Sequence, residues 1–226
     1  MLMEQGIKRG DKVMLILKRR VEYWFATVAL HKLGAVSIPT SNMVSHTDIS
    51  YRIKEADIKC IICADDDHIC GCVDKAIEAV KDTHPVIKYI TKGDREGYFD
   101  LNKEMEKASD VFARQDTKVS DIMLLYFTSG TTGANKGVML SHKNLATTVN
   151  IVVHDIVIGE TAMSILPLHH TYELGCTLLG GMYLGTRIYF NDSLKYLMSN
   201  MELYRPQVMC MVPLFLETIY KGIWQE

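Results

Sequence analysis

Short apolar runs alternate with amphipathic stretches along the whole chain. Eight of these runs are predicted to be strands, at 13–17, 35–39, 59–63, 86–90, 121–127, 163–167, 186–190 and 207–213. Between them, apolar positions recur at helical spacing over 21–33, 47–57, 72–81, 142–154, 172–184, 193–204 and 214–224. The predicted strands are almost continuously apolar, which is typical of strands that helices cover on both faces. The pattern therefore predicts an α/β fold with a mostly parallel sheet.

A weak internal repeat links two parts of this pattern. In each copy a strand, a helix and a second strand follow one another, and a glutamate precedes the glycine after the helix by twelve residues. The pairs are Glu22 with Gly34 and Glu173 with Gly185. Each glycine stands where its helix ends, so we predict a positive φ there. Chance similarity between strand–helix–strand units is the alternative interpretation.

The most polar part of the chain, residues 91–121, lies between the two copies and is the predicted linker. We therefore predict two similar α/β segments, 1–115 and 116–226. Hydrophobic residues make up 48% of the 226 positions, which is enough for a substantial core.

Charge and hydropathy narrow the choice of partners and compartment. The net charge is −2, and no basic stripe runs along the chain, which argues against a nucleic-acid partner. The first residues lack the apolar core of a signal peptide. The longest near-apolar stretch, 174–185, is shorter than the roughly 20 residues of a membrane-spanning helix. We predict a cytoplasmic protein without a transmembrane segment.

A cluster of thiols raises the possibility of a zinc site. Cys60, Cys63, Cys70 and Cys72 lie close together, with His68 among them. Residues three apart on a strand point to opposite faces, so Cys60 and Cys63 are poorly placed to share one metal ion. We interpret these residues as ordinary thiols in a reducing compartment.

A loop rich in glycine and hydroxyl groups follows the strand predicted at 121–127. Its candidate binding residues are Thr128, Ser129, Gly130, Thr131, Thr132, Gly133 and Lys136. Backbone N–H groups and hydroxyls that converge at a strand end form an anion-binding nest, and lysine adds a full positive charge. A polyphosphate is the natural ligand. A solvent-exposed tight turn is the alternative.

Two known loop types do not fit this stretch. A Walker A loop needs glycine before the lysine and Ser or Thr after it, whereas Asn135 precedes Lys136 and Gly137 follows. A serine-hydrolase elbow needs serine between two glycines in a G-x-S-x-G frame, which SGTTG does not provide.

The stretch FTSGTTGANKGVMLSHKNL closely resembles the phosphate-binding signature of the adenylate-forming, or AMP-binding, superfamily. GIKRGDKVMLIL, LGAVSIPTSN and ADIKCIICADD are similar to earlier segments of the same family. LPLHHTYELG and RPQVMCMVPLFLETIY are most similar to its long-chain fatty acyl-CoA synthetase branch. The signature differs at Asn135, where the family usually has proline, so we expect a less rigid loop.

The resemblance implies a ligase that activates a carboxylic acid, fatty by likeness to the long-chain branch, with ATP as an acyl-adenylate and then joins it to coenzyme A. It implies that residues 128–136 bind phosphates, with Mg²⁺ bridging phosphate oxygens and Thr128 as the candidate magnesium contact. It also implies that His170 lies near the reacting carboxylate as the candidate catalytic residue, with His169 behind it.

Several alternatives stay open beside the resemblance. The two histidines could merely hydrogen-bond backbone at a strand end, and Glu173 could simply open a helix. Apolar residues at helical spacing could line an acyl tunnel or form ordinary core, namely Tyr172, Leu174, Leu178, Leu179 and Met182. Other functions are an aryl or short-chain acid ligase, an amino-acid adenylation domain, and a non-catalytic nucleotide-binding or interaction domain.

The resemblance covers only the first part of the family pattern. Family members are about twice as long, and their adenine-site segment, hinge and C-terminal lid with its catalytic lysine have no counterpart here. We therefore expect this chain alone not to complete turnover. We also expect self-association through apolar surfaces and strand edges that the later segments would otherwise cover.

Overall fold

The computed structural model of the chain describes residues 1–113, 115–129, 135–155, 159–191 and 193–224. These residues form two compact units, Met1–Lys143 and Asn144–Glu226, and each unit contains its own sheet. Within the described ranges, no helix has the length and apolar character needed to cross a bilayer.

The first unit contains a seven-stranded sheet in the spatial order β5-β4-β3-β1-β2-β6-β7. Its strands are β1 (Lys12–Ile16), β2 (Val36–Pro39), β3 (Ile58–Cys63), β4 (Ile87–Ile90), β5 (Phe99–Asp100), β6 (Ile122–Ser129) and β7 (Asn135–Ser141). Every neighbouring pair is parallel except β6 and β7, which pair antiparallel as a hairpin. The predicted α/β class with a mostly parallel sheet is confirmed.

Burial along the central strand explains why its sequence is apolar without alternation. Val13, Met14, Leu15 and Ile16 expose no surface, so both faces of β1 are covered. The helices of this unit are α1 (Val21–Leu33), α2 (His46–Ala56), α3 (Asp67–Glu78) and α4 (Leu101–Lys107). A fifth helix, α5 (His142–Asp155), begins in the first unit and continues into the second.

Side-chain caps set the beginning of three of these helices. Ser45, Asp66 and Asp100 each accept a hydrogen bond from the backbone N–H three residues further on. The cap at Asp66 starts α3 at Asp67, whereas the apolar spacing predicted a start at residue 72. The prediction was wrong at this boundary, since Ile69 and Cys70 in the first turn are already buried and the cap at Asp66 marks the start.

The second unit contains a three-stranded parallel sheet in the order β10-β8-β9. Its strands are β8 (Thr161–Ser164), β9 (Arg187–Phe190) and β10 (Val208–Met209). A π-helix (Glu173–Gly180) continues into α6 (Gly181–Leu184), and a 3₁₀ turn (Leu194–Tyr196) leads into α7 (Leu197–Tyr204) and then α8 (Pro213–Trp224). Met163, Ile165, Leu166, Leu197 and Phe215 form its buried core.

Both copies of the predicted repeat fold as a strand, a helix and a second parallel strand. β1 pairs with β2 and β8 pairs with β9. Gly34 has a φ of 75° and Gly185 has a φ of 71°, so the positive φ predicted at both positions is confirmed. The helix of the second copy differs, since most of it is π-helical.

Three strands differ from the predicted pattern, and one of them, β5, lies within the stretch 91–121 that was predicted to be the linker. Only Val208 and Met209 of the run predicted at 207–213 form a strand, because the pairing with β8 covers two residues and α8 begins at Pro213. The apolar run after Lys136 forms β7, which adds an antiparallel edge to the first sheet. The predicted division of the chain between residues 115 and 116 stays a prediction.

Candidate functional site

The β6–β7 hairpin carries the described part of the predicted phosphate-binding loop. Thr128 lies directly opposite Lys136 in the antiparallel ladder, and Ser129 lies opposite Asn135. Residues opposite each other project from the same face, with Cβ atoms about 5 Å apart. The side chains of Thr128 and Lys136 are both exposed. The hairpin therefore presents a hydroxyl and an ammonium group side by side at its end.

Thr128 and Lys136 flank the other residues of the predicted loop. Gly130, Thr131, Thr132 and Gly133 lie outside the described residues. What the described ends of the loop offer is one cation and one hard oxygen donor. This donor set fits a phosphate group, because a lysine ammonium binds phosphate as a point charge. A hydroxyl oxygen also belongs to the oxygen ligands that Mg²⁺ accepts.

The opposite face of the hairpin packs on α2. Tyr51 Oη donates a hydrogen bond to the backbone oxygen of Asn135 at 3.0 Å, and Asn135 Nδ2 donates to Asp48 Oδ1 at 3.4 Å. The ring of Phe127 lies edge-on to Tyr51 at 6.4 Å and under the Arg52 guanidinium at 5.1 Å. None of the α2 residues was predicted to belong to the site, because periodicity along one helix carries no information on a hairpin some 80 residues later.

The base of the hairpin holds a pair of histidines, of which His31 is buried and His142 is partly buried. The rings of His31 and His142 meet edge to face at 6.4 Å. Burial, and secondarily the neighbouring His142, lowers the pKa of His31 to about 3. Burial also lowers the pKa of His142, although the carboxylate of Asp121 opposes this shift. Both rings are therefore neutral at pH 7, and His142 contributes to packing at the start of α5.

The predicted catalytic histidine lies in a turn of the second unit. His170 N–H donates to the backbone oxygen of Pro167 at 3.0 Å, and Leu174 N–H donates to the backbone oxygen of His170 at 3.0 Å. The side chain of His170 is exposed, whereas His169 is partly buried with its ring 4.7 Å from that of His170. Burial first, and then His170, lowers the pKa of His169 to about 4. His169 is therefore a neutral support beside an accessible imidazole.

Glu173 opens the π-helix just after this turn and is 1% exposed. Ser164 Oγ donates a short hydrogen bond to Glu173 Oε1, and Thr177 Oγ1 donates to Oε2 at 3.1 Å. The carboxylate therefore ties the end of β8 to the first turn of the π-helix. π-Helical segments often occur at functional sites, and this eight-residue segment directly follows the turn that holds His170.

The residues considered for an acyl tunnel do not share one environment. Leu174 and Leu178 are each 1% exposed and pack as core, whereas Tyr172 and Met182 are about half exposed. The cavity next to the π-helix is small, at about 20 Å³, and is lined instead by such residues as Val152, Met163, Cys176, Thr177 and Cys210. For Leu174 and Leu178, the structure favours the core interpretation.

The thiol cluster is distributed between a strand and a helix. Cys60 and Cys63 are buried in β3, and Cys63 Sγ lies 4.0 Å from Cys70 Sγ on α3. Burial raises the pKa of Cys60 well above its usual value. Cys63 therefore packs against the α3 side of the sheet, and strand alternation directs Cys60 to the other side.

Comparison with known proteins identifies the family of this chain. The family described as AMP-binding enzyme matches residues 1–223. The mitochondrial acyl-coenzyme A synthetase ACSM3 of Mus musculus is 37% identical over 139 residues, which cover 62% of this chain and 23% of that protein. The 4-coumarate–CoA ligase 1 of Petroselinum crispum is 30% identical over 193 residues, which cover 81% of this chain and 34% of that protein.

A solved structure shows the same fold. ATP-bound MatB from Rhodopseudomonas palustris matches with a TM-score of 0.79 at 26% identity, over 95% of this chain and 41% of that chain. The chain thus spans less than half the length of each of these three proteins. The family match extends over nearly all of the chain and includes both the hairpin and the histidine turn. The chain belongs to the AMP-binding enzyme family.

Proposed function

We propose that this chain contributes to the ATP-dependent activation of a carboxylic acid as an acyl-adenylate, which is then joined to coenzyme A. The observation that carries this proposal is the exposed Lys136 directly opposite Thr128 at the end of the β6–β7 hairpin. Membership of the AMP-binding enzyme family supports it, as do relatives whose names describe acyl-CoA and 4-coumarate–CoA ligases.

Adenylation brings a carboxylate to a polyphosphate and releases pyrophosphate, so it requires positive charge around the terminal phosphates. Lys136 provides one such charge and has no acidic ion-pair partner within the described part of the chain. The hydroxyl of Thr128 is suited to a magnesium ion, and Mg²⁺ would supply further charge neutralisation when bound. The remaining loop residues would bind phosphate through their backbone N–H groups and hydroxyls.

In this proposal His170 orients the acid. Its imidazole is exposed, while hydrogen bonds on both sides hold its backbone in the turn. An imidazole in this position can donate a hydrogen bond to a carboxylate oxygen and stabilise negative charge as the acid reacts. The neutral His169 beside it adds no positive charge at pH 7, so it does not compete for the anion.

The acid itself is proposed to be fatty, because the sequence around His170 is most similar to the long-chain branch of the family. An aryl acid is the second candidate, and the 30% identity to 4-coumarate–CoA ligase 1 over 81% of the chain favours it. The cytoplasmic location and the inability of this chain alone to complete turnover stay predictions, as does self-association.

Binding of MgATP and of pyrophosphate to Lys136→Met, measured by titration calorimetry, tests the phosphate site. Loss of a charge-assisted contact is worth roughly 10- to 100-fold in affinity. Lys136→Arg should retain most of the affinity because it keeps the charge. Lys103→Met, which removes an exposed lysine from α4, is the matched control. If Lys136→Met binds both ligands as tightly as Lys103→Met does, the proposal is wrong.

A further inference from the structure

We propose that Tyr51 on α2 and Asn135 on β7, with Asp48 as the partner of Asn135, are positioning residues that hold the hairpin end so that Lys136 meets the phosphates of ATP. This inference rests on the proposed function. Tyr51 and Asp48 lie outside the loop signature, so their contribution is not part of that signature. We use the term hairpin brace for the hydrogen bonds from Tyr51 to Asn135 and from Asn135 to Asp48.

The two faces of the hairpin have different contacts. Side chains alternate along a strand, so Phe127 and Asn135 project from one face while Thr128 and Lys136 project from the other. The first face contacts α2 through the hydrogen bonds of Asn135 and the ring of Phe127. The second face is left open for a ligand. Every contact of the brace therefore fixes the hairpin without occupying the phosphate-binding face.

The brace is attached to a rigid part of the first unit. α2 is anchored by Ile49 and Ile53, which expose no surface. Its first turn is closed by Ser45, whose hydroxyl accepts the N–H of Asp48 at 3.1 Å and donates to Asp48 Oδ2 at 2.7 Å. This arrangement leaves Asp48 Oδ1 free to accept from Asn135. The same carboxylate thus accepts from the capping residue Ser45 through one oxygen and from the hairpin through the other.

The brace also compensates for the departure of this chain from the loop signature. The signature usually has proline where this chain has Asn135, and proline restricts the backbone by itself. Asparagine lacks that restriction, but its side-chain amide reaches Asp48 and its backbone oxygen accepts from Tyr51. Because Asn135 is the residue before Lys136, ordering of its backbone directly limits the positions available to the lysine.

Two single variants and their double variant test the brace. Tyr51→Phe removes only the hydroxyl and keeps the ring against Phe127, and Asn135→Ala removes only the amide. Each should weaken MgATP binding about fivefold, which corresponds to one hydrogen bond. Each should also speed amide hydrogen exchange at residues 136–140, and the double variant should speed it further.

Tyr98→Phe is the matched control. Its hydroxyl donates to Asp74 Oδ1 at 2.8 Å, so it removes a comparable hydrogen bond from the same unit at a distance from the hairpin. A merely structural role of Tyr51 would lower the melting temperature as Tyr98→Phe does, with MgATP affinity and hairpin exchange unchanged in both. That result would overturn the brace.

Lys136→Met separates the two possible failures. If Lys136→Met binds MgATP as tightly as the unchanged chain does, the proposed function itself is wrong. If Lys136→Met loses MgATP affinity while Tyr51→Phe and Asn135→Ala keep it, only the proposed role of the hairpin brace is wrong.

Discussion

The two strand–helix–strand units of this chain share a backbone plan but use their glutamates differently. In the first, Glu22 in α1 is partly exposed and accepts from Asn102 Nδ2 at 3.2 Å. In the second, Glu173 is buried and accepts from both Ser164 and Thr177. The same twelve-residue spacing to a helix-ending glycine therefore does not predict the same environment for the acidic side chain.

The difference starts from one strand position. When the units are aligned on Gly10 and Gly159, the buried Leu15 of β1 corresponds to the buried Ser164 of β8. A leucine there needs no polar partner, whereas a buried serine hydroxyl must be hydrogen-bonded. Glu173 satisfies this requirement and so couples the end of β8 to the π-helix. A polar substitution in a core strand can thus be stabilised by a residue of the next helix.

Replacing each glutamate with alanine should give the largest difference in stability between the two units. Glu173→Ala leaves two buried hydroxyls without their acceptor, so we expect it to lower the free energy of unfolding by about 3 kcal/mol. Glu22→Ala removes one partly exposed contact and should cost less than about 1 kcal/mol. Urea denaturation of both variants measures the difference. Equal losses would show that Glu173 has no special role in its unit.

Acid should affect the first unit through His31. The folded pKa of about 3 lies below the ordinary value of 6.5, so the neutral ring contributes stability that is complete above pH 6.5 and is lost as the pH falls toward 3. Between pH 7 and pH 5 the loss should be about 2 kcal/mol. His31→Leu should remove this part of the pH dependence.

Two further variants sharpen the acid experiment. His169 in the second unit also has a lowered pKa, of about 4, but solvent screens it more, so His169→Leu should flatten the pH profile less than His31→Leu does. His68→Leu, which replaces an exposed histidine of the first unit, is the control for the substitution itself. Denaturation at several pH values measures how the free energy of unfolding depends on pH. If His31→Leu shows the same dependence as the unchanged chain, the dependence does not come from His31.

The smallest difference is expected at the two glycines. Gly185→Ala places a Cβ in open space at a φ of 71° and should cost about 1 kcal/mol for the left-handed backbone. Gly34→Ala has the same backbone cost, and its Cβ would also lie 2.8 Å from Thr117 Cγ2. Gly34→Ala should therefore lower the melting temperature further than Gly185→Ala. The reverse order would mean that Thr117 moves aside without cost.

Much of the fold could be predicted from the sequence because its signals are local. The continuous apolar runs of β1 and β3 and the helix at Val21–Leu33 come directly from periodicity, as do the glycines at helix ends. The length of β10 could not be predicted from the apolar pattern, since it depends on how many residues pair with β8. The start of α3 required a cap rather than an apolar residue.

The candidate site could be predicted only as a set of residues. The loop signature identified Thr128 and Lys136, but their opposition across the ladder follows from the pairing of β6 with β7. The contacts of Tyr51 and Asp48 with Asn135 join positions 84 and 87 residues apart. Such long-range contacts leave no periodic signal, and they became visible only once the sheet had placed α2 beside the hairpin.

The central claim is that the hairpin end binds the terminal phosphates of ATP. Its most direct test is a residue-resolved NMR titration of this chain with MgATP and with pyrophosphate. We predict that both ligands shift the backbone amides of residues 128–137 most, and that Lys136→Met abolishes these shifts. Shifts centred elsewhere in the chain, or the same shifts in Lys136→Met, would contradict the claim.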